Sequence, residues 1–162
     1  MISFDTNILV YATAALADDR VNRAQDLLAR AMRATTSILL LQSLAEFSHV
    51  AIRKARIPAN AIKRTIEAWL AVLPVQSADD SDLVLALEAV HAHRLAFWDA
   101  MLWASAQRAG VRHMLSKGFQ ERWKPYGRPG VRWSTTRASV DTLLYLNYTS
   151  PLPPRCRIGG WA

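Results

Sequence analysis

The chain has 162 residues, the length of one compact domain, and 51% of them are hydrophobic, which is enough for a single core. It contains no run of about 18 apolar residues that could span a membrane, and it does not open with a basic stretch followed by an apolar block. Its one cysteine, Cys156, excludes an internal disulfide. We therefore expect a soluble, cytoplasmic protein with no membrane contact.

The net charge of +7 is compatible with nucleic-acid binding, but it is unevenly distributed. Residues 1–120 contain 13 basic and 11 acidic residues, a net charge of +2, whereas residues 121–162 contain 7 basic and 2 acidic residues, a net charge of +5. Lys and Arg dominate affinity for phosphate groups, yet a basic surplus serves solubility about as often. Charge alone therefore assigns no function.

The chain begins with a short strand and two helices. Ile2–Phe4 is an apolar strand candidate that ends at Asp5, and residues 7–15 favour a helix. Asp18 and Asp19 are candidate N-caps for the next helix. Apolar residues recur along this helix at helical spacing, which predicts one buried face: Val21, Ala24, Leu27, Leu28 and Ala31.

A second strand and two further helices follow. Residues 37–41 form a continuous apolar run, which is typical of a buried parallel strand. Ser43 is expected to cap the helix that carries Glu46. Pro58 suits the first turn of the next helix, and residues 73–76 are a weaker strand candidate. The apolar stripe of that helix is expected at Ile62, Ile66, Trp69, Leu70 and Leu73.

The last predicted elements complete an alternating pattern. Residues 79–94 and 97–109 favour helices, the second ended by Gly110 in a left-handed conformation, and residues 111–115 favour a strand. The first of these helices is expected to turn three residues inward: Leu83, Leu87 and Val90. Core positions are also expected for Trp69, Trp98 and Trp103. Strands that alternate with helices predict an α/β fold, here a three-layer α/β/α sandwich with a short parallel sheet.

The composition changes after about Gln120. Four of the six glycines and five of the seven prolines lie beyond that residue, interleaved with Arg and Trp, unlike a packed α/β core. We therefore assign residues 1–132 to the domain and residues 133–162 to an atypical C-terminal extension. This extension is either irregular or non-native, through a reading-frame change near Arg132.

Three acidic residues stand in apolar surroundings: Asp5, Glu46 and Asp99. A buried carboxylate needs a cation or hydrogen-bond donors, so each residue alone could equally cap a helix or pair with an arginine. A parallel sheet, however, can bring all three to its carboxyl edge, where clustered carboxylates repel one another unless a cation is present. Oxygen ligands suit Mg²⁺ or Mn²⁺, and the chemistry they indicate is phosphodiester hydrolysis.

The residues around these acids resemble the PIN-domain family, in particular its VapC-like ribonuclease toxins. The segments that match occur in the expected order: Ile-Ser-Phe-Asp-Thr-Asn-Ile-Leu-Val-Tyr at 2–11, Gln-Ser-Leu-Ala-Glu-Phe at 42–47, Phe-Trp-Asp-Ala at 97–100 and Val-Arg-His-Met-Leu-Ser at 111–116. The resemblance implies three catalytic metal ligands, Asp5, Glu46 and Asp99. It implies three residues that orient these carboxylates by hydrogen bonds: Thr6, Asn7 and Ser116. It also implies a small antitoxin partner and a homodimer.

The sequence departs from this resemblance after Ser116. Family members often carry an aspartate two positions later, which completes the acidic site, whereas this chain has Lys117 and Gly118. A metal ion held by too few carboxylates binds weakly and positions its water poorly. The absent acid therefore places full activity in question.

The leading prediction is a Mg²⁺- or Mn²⁺-dependent endoribonuclease that acts as the toxin of a toxin–antitoxin pair, with activity weakened by the absent acid. The alternative is a catalytically inactive PIN-like protein that still binds RNA or an antitoxin. A haloacid-dehalogenase type of phosphotransferase would need Asp-x-Asp at the end of the first strand. This chain has Asp5-Thr6-Asn7 there, which argues against that class.

Overall fold

The structure, a computed structural model, describes residues 1–15, 18–33, 36–116 and 132–135, the last four through their backbone alone. Within these ranges, helices alternate with short strands. The elements in chain order are β1 (Ile2–Phe4), α1 (Thr6–Thr13), α2 (Asp19–Arg33), β2 (Leu39–Leu40), α3 (Leu41–Arg53), α4 (Ala59–Leu70), β3 (Val75–Gln76), α5 (Asp80–His93), α6 (Phe97–Arg108), β4 (His113–Ser116) and β5 (Arg132–Thr135).

The strands form parallel pairs whose carboxyl ends share one edge. β1 pairs with β4 and β4 with β5, while β2 pairs with β3. A bridge between Ile2 and Ser37 joins the two groups, because Ile2 N–H donates to the Thr36 carbonyl (2.9 Å) and Ile38 N–H donates to the Ile2 carbonyl (3.0 Å). β1 therefore lies at the centre, flanked by β4 on one side and by the segment that leads into β2 on the other.

Side chains alternate between the two faces of the sheet, which gives the molecule two cores. Leu39 and Leu115 pack into a core with the buried residues of α1 to α4. Leu40 and Met114, their neighbours in the chain, pack into a second core with α5 and α6. This period of two is the geometry of a strand covered on both faces. The predicted three-layer α/β/α sandwich is confirmed.

Several predicted helix ends are confirmed. The Asp18 carboxylate accepts the N–H of Arg20 at 2.8 Å, the N-cap contact that satisfies an unpaired donor of α2. Gly110 has a φ of 70°, as expected of a left-handed residue behind α6. The cap predicted at Ser43 is wrong, because α3 already begins at Leu41, directly after β2. No loop separates the two elements, and Ser43 is buried within the helix.

The predicted inner faces of α4 and α5 are partly wrong. Leu83 and Leu87 are exposed, and α5 instead buries Ala86, Ala89 and Asp82. Small side chains let α5 approach α6 closely, which leaves the leucines on the outer side. Leu70, at the end of α4, is exposed as well, since the helix stops there and the chain turns toward β3.

Of the three tryptophans expected in the core, two are buried and one is exposed. Trp69 and Trp103 are buried, as predicted, whereas Trp98 is exposed. Trp98 lies in the first turn of α6, beyond the part of the helix that α5 and the sheet cover.

A hydrogen-bonded ion pair joins α5 to α6. Asp82 is 1% exposed and accepts Nε and Nη2 of Arg108, both at 2.9 Å, and the Ser105 hydroxyl at 3.0 Å. Asp82 N–H donates to the Asp79 carboxylate (3.1 Å), and Asp79 N–H donates back to Asp82 (3.0 Å), which forms a capping box. Burial alone would raise the pKa of Asp82, but the bonds from Arg108, Asp79 and Ser105 outweigh it and lower that pKa.

The predicted boundary between the domain and its extension, after Arg132, falls within a strand, β5. β5 begins at Arg132 and pairs with β4, with Arg132 opposite His113, so residues 133–135 belong to a strand of the sheet. The rest of the extension, residues 136–162, lies outside the described ranges, as do Lys117 and Gly118. None of the described helices is long and apolar enough to cross a membrane.

We predict that Asp82→Asn lowers the free energy of unfolding by about 1–3 kcal/mol, because a buried charge-assisted network loses its anion. Since the pKa of Asp82 is lowered in the fold, its contribution is complete above the ordinary aspartate pKa of about 3.9 and is lost as pH falls through the lower folded value. Urea unfolding between pH 7 and pH 2.5 measures both effects.

The matched control is Asp26→Asn, which breaks the partly exposed i,i+4 pair with Arg30 (2.7 Å) and should change stability by less than about 1 kcal/mol. Equal losses in the two variants would contradict the assignment of Asp82 as the link between α5 and α6.

Candidate functional site

The candidate site lies at the carboxyl edge of the sheet, where β1 and β4 end side by side. Phe4 is in register with Leu115, and Asp5 N–H donates to the Leu115 carbonyl at 2.9 Å. Asp5 follows β1, and Ser116 is the last residue of β4. The geometry of a parallel pair therefore brings together two polar residues that are 111 positions apart in the chain.

Neutral donors hold the Asp5 carboxylate. The Ser116 hydroxyl donates to Oδ2 at 2.6 Å, and the Asn7 amide donates to the same oxygen at 2.7 Å. The Asn7 amide also donates to the Ser116 hydroxyl at 3.1 Å, which closes a three-membered network. Two of the residues that the sequence proposes as orienting groups thus contact Asp5 directly.

Donors from two elements fix the Glu46 carboxylate. Thr6, the first residue of α1, donates its hydroxyl to Oε2 at 3.0 Å. Gln42, four residues before Glu46 on α3, donates its amide to Oε1 at 2.8 Å. Residues four apart lie on the same face of a helix, so this last contact follows from the spacing. Glu46 therefore has both carboxylate oxygens engaged.

Gln42 connects the Glu46 side of the site to Asp99. Its amide nitrogen also donates to the Trp98 carbonyl at 2.9 Å, and Trp98 directly precedes Asp99 in the first turn of α6. No role for Gln42 was predicted from the sequence. The i,i+4 spacing to Glu46 was the available signal, but the contact with α6 depends on tertiary packing that a sequence does not reveal.

The three carboxylates share one electrostatic environment. Burial raises the pKa of Asp5, the bonds from Ser116 and the Thr6 N–H lower it, and the charge of Glu46 raises it again, with a raised value as the result. Partial desolvation of the otherwise exposed Asp99 raises its pKa, and the charges of Asp5 and Glu46 raise it further. The structure thus brings the three predicted acids close enough to repel one another.

The donor chemistry of this site fits a hard divalent cation, since carboxylate oxygens are the ligands that Mg²⁺ and Mn²⁺ prefer. In the present arrangement, no three His, Cys, Asp or Glu side chains of the described ranges stand close enough to hold one ion together. Asp99 is the exposed member of the set, and exposed side chains change rotamer readily.

The PIN domain family model matches residues 2–118, which include all three acids. The chain belongs to the PIN domain family. No protein of curated function matches it significantly.

Solved structures share the fold at low sequence identity. The VapC20 toxin of Mycobacterium tuberculosis, which cleaves the sarcin-ricin loop, is 20% identical with a TM-score of 0.60 over 75% of this chain and 92% of that one. A toxin–antitoxin complex from Klebsiella pneumoniae is 16% identical with a TM-score of 0.58 over 82% and 100%. VapBC2 of Rickettsia felis, bound to a promoter DNA fragment, is 16% identical with a TM-score of 0.58 over 83% and 98%. These similarities establish a fold like that of VapC toxins.

We predict that Ser116→Ala raises the pKa of Asp5 further, because it removes a donor that stabilises the ionised carboxylate. Carboxyl ¹³C NMR titration of the metal-free protein measures this pKa directly. The control is Ser48→Ala, since the Ser48 hydroxyl donates to the Leu44 carbonyl within α3 (2.7 Å) and should leave Asp5 unchanged. An Asp5 pKa that does not respond to Ser116→Ala would contradict the network.

Proposed function

We propose that the chain is a Mg²⁺- or Mn²⁺-dependent endoribonuclease, the toxin of a cytoplasmic toxin–antitoxin pair. The observation that carries the proposal is the group of Asp5, Glu46 and Asp99 at the carboxyl edge of the sheet. Two of these acids have pKa values raised by burial and by their neighbours' charges. Such perturbation is typical of functional sites.

Some residues of the site would bind the cation, and others would orient the carboxylates that bind it. Asp5, Glu46 and Asp99 would hold the cation, which when bound supplies a Lewis acid for a phosphate oxygen and a water of lowered pKa. Ser116 and Asn7 keep the Asp5 carboxylate in one orientation, and Thr6 does the same for Glu46. Fixed ligands of this kind limit the reorganisation that a reaction requires.

The structures with the same fold support the choice of substrate and partner. The M. tuberculosis protein is a toxin that cleaves the sarcin-ricin loop, and the K. pneumoniae structure is a toxin–antitoxin complex. By analogy, we propose RNA as the substrate of this chain and a small antitoxin protein as its inhibitor. We also propose that it forms a homodimer.

Two observations favour a second candidate, an inactive PIN protein that binds RNA or an antitoxin. The sequence lacks an acid at Lys117-Gly118, and no tight cluster of three ligands forms among the described residues. A chain of this kind would keep the fold and the acidic edge but would not hydrolyse RNA. The two candidates differ in one measurable property, which is metal-dependent cleavage.

We predict that the full chain cleaves total RNA in the presence of Mn²⁺ or high Mg²⁺ and loses this activity in EDTA. Each of Asp5→Asn, Glu46→Gln and Asp99→Asn should reduce the rate by about 100-fold or more, because a lost ligand removes several kcal/mol of transition-state stabilisation. Gel-based cleavage assays combined with Mn²⁺ calorimetry separate lost metal binding from lost chemistry.

The control variant is Glu67→Gln, which removes an exposed carboxylate paired with Lys63 on α4 (3.6 Å) and should change neither rate nor metal affinity. On the sequence evidence alone, Gly118→Asp should raise both quantities. RNA binding without cleavage by the native chain, at any metal concentration, would favour the inactive candidate. Metal affinity unchanged in all three amide variants would reject the site itself.

A further inference from the structure

The first turn of α6 presents an exposed pair of aromatic rings. Trp98 is 64% exposed and Phe97 37% exposed, and their ring centroids lie 5.2 Å apart with planes inclined at 67°. Trp69 and Trp103, by contrast, are buried. The fold leaves the apolar surface of this indole in contact with water, which is unfavourable. A large exposed ring of this kind indicates a binding surface.

The position of Trp98 links this surface to the acidic site. It precedes Asp99, whose carboxyl is influenced by the charges of Asp5 and Glu46. The Trp98 carbonyl accepts the Gln42 amide at 2.9 Å, and the same amide donates to Glu46 at 2.8 Å. Gln42 therefore connects the backbone that carries the indole to Glu46, one of the proposed ligands.

We propose that Trp98 is a stacking platform for an unpaired nucleobase next to the phosphodiester bond at the acidic site. The proposal rests on the proposed function and defines its substrate class as single-stranded or looped RNA. A base within a duplex has its faces covered by its neighbours, whereas an unpaired base offers a face to an aromatic side chain. Stacking tolerates every base, so Trp98 would select for single-strandedness rather than for sequence.

The extent and setting of the surface favour a base over a protein partner. The pair offers one indole and one phenyl ring, which match one or two bases, whereas a stable protein interface buries about 800 Å² on each partner. The neighbouring carboxylates, once they hold a cation, would attract a phosphate group. A nucleotide satisfies both features at once, with its phosphate at the acids and its base on the indole.

The test uses the full chain with Asp5→Asn as a background that slows cleavage. Fluorescence anisotropy measures its affinity for a labelled single-stranded oligoribonucleotide and for versions with an abasic site at each position in turn. Adding Trp98→Ala should weaken binding of the intact oligonucleotide by about 5- to 150-fold, the range expected for one stacked base. Trp98→Phe should retain most of the affinity.

Two controls define the specificity of the effect. Leu87→Ala removes an exposed apolar side chain of α5 and should leave the affinity unchanged. For one abasic position, the Trp98→Ala penalty should disappear, because the base that stacks is already absent. Circular dichroism confirms that each variant is folded.

The outcomes separate this proposal from the proposed function. Equal affinities with and without Trp98→Ala, or a penalty that persists at every abasic position, would overturn the stacking role. RNA cleavage by the wild type would in that case still support the proposed nuclease function. Loss of self-association in Trp98→Ala with RNA affinity retained would assign the surface to a second copy of the chain and also overturn it. A wild type that neither binds nor cleaves RNA would reject both proposals.

Discussion

Repulsion among Asp5, Glu46 and Asp99 constrains the rest of the site. Parallel pairing of β1 with β4 brings Asp5 and Ser116 together at one edge of the sheet. Helices α3 and α6 add Glu46 and Asp99 to the same site. Close carboxylates raise one another's pKa, and hydrogen bonds to Asp5 and Glu46 offset part of this repulsion. The hydroxyls of Thr6 and Ser116 and the amides of Asn7 and Gln42 provide these bonds.

Asp82 provides a useful contrast within the same molecule. Arg108 pairs with it, so its pKa is lowered and its charge stabilises the contact between α5 and α6. Burial raises the pKa of Asp5, and the neutral donors that contact this carboxylate lower the pKa too little to offset burial and the charge of Glu46. A paired acid contributes to stability, whereas an acid held by neutral donors keeps its negative charge available to a cation. The chain therefore separates structural from candidate functional carboxylates by the charge of their partners.

The sequence was sufficient to predict the alternation of strands and helices, because buried parallel strands and amphipathic helices have distinct periodicities. It also indicated the meeting of Asp5 with Ser116, through the family resemblance and the edge rule for parallel sheets. The predicted inner face of α5 was wrong, since alanine and leucine both count as apolar, and the helix buries its alanines together with Asp82, which pairs with Arg108 of α6. The predicted burial of Trp98 was wrong, and the role of Gln42 was not predicted, for a related reason. Their surroundings are formed by α3 and α6, which are far apart in the chain.

We expect the three acids to oppose folding until a cation neutralises them, and thermal unfolding at pH 7 with and without Mn²⁺ measures this effect. Because the pKa of Asp99 is raised in the fold, its ionised form lowers stability at neutral pH. Without metal, we expect Asp99→Asn to have a higher Tm than the wild type. Mn²⁺ should raise the Tm of the wild type far more than that of the variant. A lower Tm for metal-free Asp99→Asn, together with equal Mn²⁺ shifts in both proteins, would contradict it.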